Sequence, residues 1–121
     1  MPSAPRRVLV VDDNPDAAVS LTLVIREMGH TAEWAMDGIA AIDVARRLRP
    51  EIVFLDLALP GIDGYEVAQR LKREPGLDSV RIIAMTGSGR EEDRRRTLEG
   101  GFELHIVKPI DPRFLDSLLA R

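Results

Sequence analysis

The chain has 121 residues, 45% of them apolar and 31% charged, the size and composition of a single soluble domain with one core. Seventeen basic against twenty acidic residues leave a net charge of −3, which gives no support to a nucleic-acid-binding surface, and the lack of cysteine excludes a disulfide framework, a thiolate nucleophile and a cysteine zinc site. No apolar run approaches the roughly 20 residues that cross a bilayer, and the opening MPSAPRR has no signal-peptide core, so the expectation is an unprocessed cytoplasmic chain, 1–121 as one domain, with Met1 to Pro5 disordered.

Val8 to Val11 is a continuous apolar run ended by Asp12 and Asp13. Asn14 is placed to cap a helix whose first turn begins at Pro15, where a missing N–H costs little. Ala18, Leu21, Val24, Ile25 and Met28 recur along it at helical spacing, and Gly29 supplies the stop. His30 to Ala35 is shorter and more polar, as an edge strand would be, and Trp34 reads as packing on it. Asp37-Gly38 then turns the chain into a helix carrying Ala41, Ile42, Ala45 and Leu48 inward and ended by Pro50. Ile52 to Leu55 shows no polar alternation and reads as a strand buried on both faces, which delivers Asp56 to a loop holding Pro60, Gly61 and Gly64. Asp63 caps the next helix, which buries Val67, Ala68 and Leu71 before Pro75-Gly76 breaks it. Arg81 to Met85 is a fourth strand ending in Thr86. Residues 90–100 read as a helix with Leu98 as its strong apolar anchor and Arg94, Arg95 and Arg96 on a solvated face. Leu104 to Val107 is the fifth strand, followed by Lys108 and Pro109, and Asp111 caps a last helix that starts at Pro112 and buries Phe114, Leu115, Leu118 and Leu119.

Five strands alternating with five helices predict a doubly wound α/β domain with a parallel sheet, for which the common five-stranded order is 2-1-3-4-5. Ligands in such sheets bind outside the carboxyl ends of the strands, at the switch between strands 1 and 3. With neighbouring strands about 4.8 Å apart, Asp12, Asp13, Asp56, Thr86 and Lys108 share one rim. A carboxylate at one strand end is ordinary; four strand ends with polar residues that can meet are not. Three crowded carboxylates need a cation among them, and an all-oxygen site with room for water suits Mg²⁺, with Mn²⁺ able to substitute. Lys108 and the Thr86 hydroxyl suit a phosphoryl group, and the small Gly87 leaves a backbone N–H open to one of its oxygens. A carboxylate can accept phosphoryl as an acyl phosphate while metal and lysine neutralise charge, and Asp56 is the central candidate for that nucleophile.

With VLVVDDN, FLDLALPGIDGYE, AMTGSG and VKPID in order, the chain resembles the receiver domains of two-component response regulators, which have the flavodoxin-like fold of the chemotaxis regulator. The resemblance implies Asp12 and Asp13 as metal-site acids, Asp56 as phosphoacceptor, and the Ala58 carbonyl as a metal ligand. It also implies Thr86 as a switch hydroxyl, Lys108 as the family's lysine, and a Lys108–Pro109 bond that is commonly cis. The implied partners are a histidine kinase or histidine phosphotransfer protein and an unidentified downstream protein, met through the fourth helix, fifth strand and fifth helix. Neither nucleic acid nor membrane is a direct partner, and the domain is a monomer or weak dimer. The domain is not a turnover enzyme but catalyses its own phosphorylation and loses the group slowly, since Ala58 and Ser88 bring neither carboxylate nor amide to the path of the hydrolytic water.

One position departs from the commoner pattern: His105 stands where many receivers have Tyr or Phe, which removes the usual aromatic partner of the switch threonine. His105 reads either as a half-exposed polar residue or as a pH sensor, the first being the simpler. Two other functions remain to be separated. A binding-only pseudo-receiver would not need the intact acids, threonine and lysine, and a Mg²⁺-dependent aspartyl phosphatase would want an acid where Ala58 stands. Gly87-Ser88-Gly89 begins like a dinucleotide fingerprint, but Glu92 replaces its third glycine. The segment GFELHIVKPID resembles hybrid-kinase receivers, so both a free-standing regulator and a receiver within a longer kinase fit the sequence.

Overall fold

The computed structural model describes residues 4–87 and 100–121. The predicted helix over 90–100, its arginine run, Ser88 and Gly89 lie outside the described residues, as do the first three residues of the segment expected to be disordered; Ala4 and Pro5 are exposed. The elements are β1 (Arg7–Val11), α1 (Pro15–Glu27), β2 (Thr31–Ala35), α2 (Gly38–Leu48), β3 (Ile52–Asp56), α3 (Gly64–Arg73), β4 (Arg81–Thr86), β5 (Leu104–Val107) and α4 (Pro112–Ala120). The five strands form one sheet in the order β2-β1-β3-β4-β5, every neighbouring pair parallel, as the sequence predicts.

The unbroken apolar runs are explained by a sheet covered on both sides, because successive side chains of a strand point to opposite faces. Val8, Val10, Ile52, Phe54, Ile83 and Met85 pack with Ile25 of α1 and with Leu115, Leu118 and Leu119 of α4. Leu9, Val11, Val53, Leu55, Ile82 and Ala84 pack on the other side with α2 and α3 through Ala41, Ile42, Ala45, Val67, Ala68 and Leu71. The helix starts follow capping chemistry. Asn14 accepts from the N–H groups of Asp16 and Ala17 at 3.0 and 3.3 Å, Asp37 from Ala40 at 2.8 Å, Asp63 from Glu66 at 3.0 Å and Asp111 from Arg113 at 2.8 Å.

Two inward assignments change. Val24 and Phe114 are 37% and 40% exposed, because the buried stripes run through Ala18, Thr22 and Ile25 in α1 and through Leu115, Leu118 and Leu119 in α4, each one residue away. Thr22 takes the interior place by donating its hydroxyl to the Ala18 carbonyl at 2.8 Å, which satisfies its polar atom within the helix. α2 ends before Pro50 rather than at it: Arg49 adopts φ 55° and its N–H closes on the Ala45 carbonyl at 2.8 Å. Trp34 packs as predicted, half-buried, with the Arg26 guanidinium 5.6 Å from its ring centre.

Gly64 fixes how closely α3 starts behind the end of β3. A Cβ there would sit 2.7 Å from the Leu57 Cα, so any side chain would push the helix off the loop that follows Asp56. At the opposite, amino end of the sheet, Arg81 forms a two-pronged pair with Glu103 at 2.9 and 2.8 Å and donates to the Leu118 carbonyl at 3.2 Å. Arg6 pairs with Glu51 at 3.2 Å and donates to the main-chain oxygens of Leu119 and Arg121 at 3.3 and 2.6 Å. These arginines meet the last carbonyls of α4, of which that of Leu118 also accepts the Arg121 N–H at 3.4 Å.

Candidate functional site

The carboxyl ends of β1, β3, β4 and β5 bring the predicted rim together. Asp12 follows β1 directly and its N–H donates to the Ala35 carbonyl of β2 at 3.1 Å, so the sheet ladder itself sets its position. Asp56 is the last residue of β3 and pairs in register with Met85. Both carboxylates are buried, at 2% and 5% exposure, while Asp13 is exposed. Each buried acid makes the same local turn: one oxygen of Asp12 accepts the Asn14 N–H at 3.0 Å, and one oxygen of Asp56 accepts the Ala58 N–H at 2.9 Å. An Asp side chain bonding the backbone two residues on is an ordinary Asx turn.

The second oxygen of each acid goes to the same group. Lys108 Nζ lies 2.8 Å from Asp12 Oδ2 and 2.8 Å from Asp56 Oδ2. The sequence reading set Lys108 beside Thr86, facing substrate; the structure adds that its ammonium bridges the two buried acids. Burial, the largest single influence, pulls the lysine pKa down, but the hydrogen bonds to Asp12 and Asp56 and the attraction of their charges outweigh it and hold it above the ordinary 10.5. The Lys108 N–H also donates to the Thr86 carbonyl at 2.8 Å, and the Lys108–Pro109 bond is cis, as expected.

Ligating oxygens of Asp12, Asp13 and Asp56 lie within 4.8 Å of one another. Among the described residues three carboxylates face a single ammonium here, which leaves an excess of negative charge among them, and the donors they bring are oxygens alone. Asp13 lies toward solvent, where a cation could keep water ligands. That donor set fits a hard divalent cation such as Mg²⁺, and the main chain of Ala58, tied to Asp56, borders it.

Thr86 is half-buried, and its Oγ1 lies 2.8 Å from His105 Nε2, so the structure joins the two residues of the predicted switch. Gly87 is exposed, and among the described residues a Cβ built on it would meet nothing within 4 Å. An apolar cavity of about 290 Å³ borders Asp12 and Lys108, walled by Leu21 and Val24 of α1, Met85, Ile110 and Leu115; the exposure of Val24 belongs to this recess.

The family model for the response regulator receiver domain matches residues 8–120. The chain is 38% identical over 110 residues to the DNA-binding response regulator MtrA of Mycolicibacterium smegmatis, covering 91% of this chain but 47% of that protein. It is 33% identical over 115 residues to the polar-differentiation response regulator DivK of Brucella anthropi, covering 94% of each. It thus spans about half the length of the DNA-binding regulators it matches and nearly all of DivK. Among solved structures, a putative response regulator from Chloroflexus aurantiacus superposes with a TM-score of 0.85 at 30% identity, over 98% of this chain and all of that one.

Proposed function

The chain belongs to the family of response regulator receiver domains, and from that premise we propose that it accepts a phosphoryl group from a phosphohistidine donor onto Asp56, in a reaction that needs Mg²⁺. The observation that carries the reading is the pair of buried aspartates sharing one lysine beside an exposed third acid. A structural ion pair buried for stability balances its charges; among the described residues this cluster does not, and Asp13 and Gly87 at its rim are exposed.

In the transfer an Asp56 carboxylate oxygen forms the O–P bond as the N–P bond of the donor breaks, and the leaving imidazole keeps the bonding electrons and takes up a proton from water. The Ala58 N–H holds Oδ1 and fixes the carboxylate plane, so Oδ2, on the lysine side, is the attacking oxygen. The Lys108 ammonium then follows the negative charge onto the phosphoryl oxygens, with the Thr86 hydroxyl and the Gly87 N–H as further donors. Asp12, Asp13, Asp56 and the Ala58 carbonyl would hold Mg²⁺, which would supply the remaining charge neutralisation. The acyl phosphate is lost slowly, since the exposed Ala58 has only a methyl group to offer the hydrolytic water; a half-life of a few seconds for the isolated phosphoprotein would contradict this.

Residues 1–121 act as a single receiver in the cytoplasm, as a monomer or weak dimer, phosphorylated by a histidine kinase or phosphotransfer protein. The phosphoryl group shifts the Thr86–His105 face and with it the binding of a downstream protein. Among the described residues no helix is long and apolar enough to cross a membrane. The test is intact mass after incubation with Mg²⁺ and acetyl phosphate or phosphoramidate, with Asp56→Ala and metal-free controls. One phosphoryl addition that needs both Mg²⁺ and Asp56 is expected. No addition to the folded protein at any Mg²⁺ concentration would leave a binding-only domain.

A further inference from the structure

The 2.8 Å contact between Thr86 Oγ1 and His105 Nε2 has a direction, and the direction matters. A threonine hydroxyl has one proton to give, and a ring nitrogen either carries a proton or accepts one. The Thr86 main chain is held by the Lys108 N–H at 2.8 Å, and Ala84, the register partner of His105, brings no polar side chain to the pair. Which of the two supplies the proton of this contact decides how the Thr86 hydroxyl is set toward His105.

On the reading proposed above, Thr86 gives its proton to a phosphoryl oxygen on Asp56. Its oxygen then presents lone pairs alone toward β5. A contact of hydrogen-bond length with His105 is attractive in that state only when Nε2 carries a hydrogen; an unprotonated Nε2 would set lone pair against lone pair. We propose that His105 is a positioning residue for the phosphorylated domain, its Nε2–H donating to Thr86 Oγ1 so that the threonine proton is aimed at the phosphoryl group. The inference rests on the phosphoacceptor reading and goes beyond it. Phosphorylation selects the Nε2-protonated form of the ring, and by reciprocity a ring with its proton on Nε2 favours the phosphorylated geometry. The ring then stays tied to Thr86 through activation, where a phenylalanine at 105 could neither donate nor accept. The proton on one ring nitrogen thereby becomes part of the signal.

The test is side-chain ¹⁵N NMR of the full, uniformly labelled chain with Mg²⁺, before and after addition of beryllium trifluoride as phosphoryl mimic, with affinities for that mimic measured on wild type, Asp56→Asn, His105→Gln and His105→Phe. In the wild-type complex the His105 Nε2 signal is expected to be that of a protonated nitrogen; an unprotonated Nε2 there overturns the proposal. His105→Phe should weaken binding of the mimic about fivefold, the worth of one net hydrogen bond. His105→Gln, whose amide retains an N–H donor, should stay within about twofold of wild type. Equal losses in the two variants, or none in His105→Phe, would also overturn it. If wild type and Asp56→Asn alike fail to bind the mimic, the phosphoacceptor reading falls and the relay with it; binding that needs Asp56 with Nε2 unprotonated removes the relay alone.

Discussion

At the amino end of the sheet, Arg6, Arg7 and Arg81 meet Glu51 and Glu103, and surplus donors of Arg6 and Arg81 reach the last carbonyls of α4; at the carboxyl end, two buried aspartates share one lysine beside an exposed third. Both ends are charged and both are built from residues that begin or end strands. At the amino end acids are matched by guanidinium groups of fixed planar geometry, and donors left over find carbonyls. At the carboxyl end negative charge exceeds positive among the described residues, and the Lys108 ammonium sits on a flexible stem that can follow charge elsewhere. The difference separates charge that holds a fold from charge that performs a reaction.

The sharpest way to break that comparison is at Asp56. Asp56→Ala should abolish phosphoryl addition altogether by intact mass while leaving the circular dichroism spectrum unchanged. Next in size, Lys108→Met should slow phosphorylation by acetyl phosphate by about 10²-fold or more, the usual effect of removing a preorganised charge partner from a transition state. The same variant should tighten Mg²⁺ binding, measured by calorimetry, because the ammonium no longer competes for Asp12 and Asp56. Weaker Mg²⁺ binding would show that the lysine supports the site rather than competing for it. At the other end, Arg81→Met should cost about 1–3 kcal/mol in urea unfolding, since Glu103 and the Leu118 carbonyl lose a shared donor, with phosphorylation rate unchanged.

The smallest effect is in pH, and it takes opposite signs at the two ends. The Arg81 hydrogen bonds hold the Glu103 carboxyl below its ordinary 4.5. A depressed folded pKa gives stability that is present above the unfolded value and lost as pH falls through the folded one. The stability gap between wild type and Arg81→Met should therefore narrow by less than about 1 kcal/mol on acidification past that range, the scale of a partly exposed pair. Lys108 is raised above 10.5, so its contribution is present at neutral pH and lost only as pH rises through the raised value. A gap at Arg81 that widened in acid would reverse the assignment of its partner.

The strands, their order, the caps at Asn14, Asp63 and Asp111 and the acids of the rim were legible because each depends on local pattern: an unbroken apolar run, a short polar side chain before a helix, a charge where a buried strand ends. What escaped the pattern depends on tertiary fit. Thr22 is buried because its hydroxyl has an internal acceptor, and Val24 is exposed because the stripe of α1 is centred one residue away. Leu59, Leu77, Val80 and Phe102 belong to the core from outside any helix or strand, where no periodicity marks them, and Phe102 meets Tyr65 edge to face at 5.8 Å. At the site, charge counting asks for a cation among three acids; that Lys108 supplies part of it follows only once the side chain that follows β5 is seen to reach past β4 to the ends of β3 and β1.

The all-parallel sheet also has a consequence in time. No neighbouring pair of strands here can zip outward from a tight turn, because parallel strands need a full crossover between them. β3 meets β1 only after α1, β2 and α2 have been laid down, and that loop closure precedes any reward from contact. The acids and the lysine come from three of these distant segments, so a refolding chain has no cation site until its slowest joining step is complete. Recovery of Mg²⁺ binding and burial of the central strand should then proceed in stopped-flow refolding with a single shared rate constant.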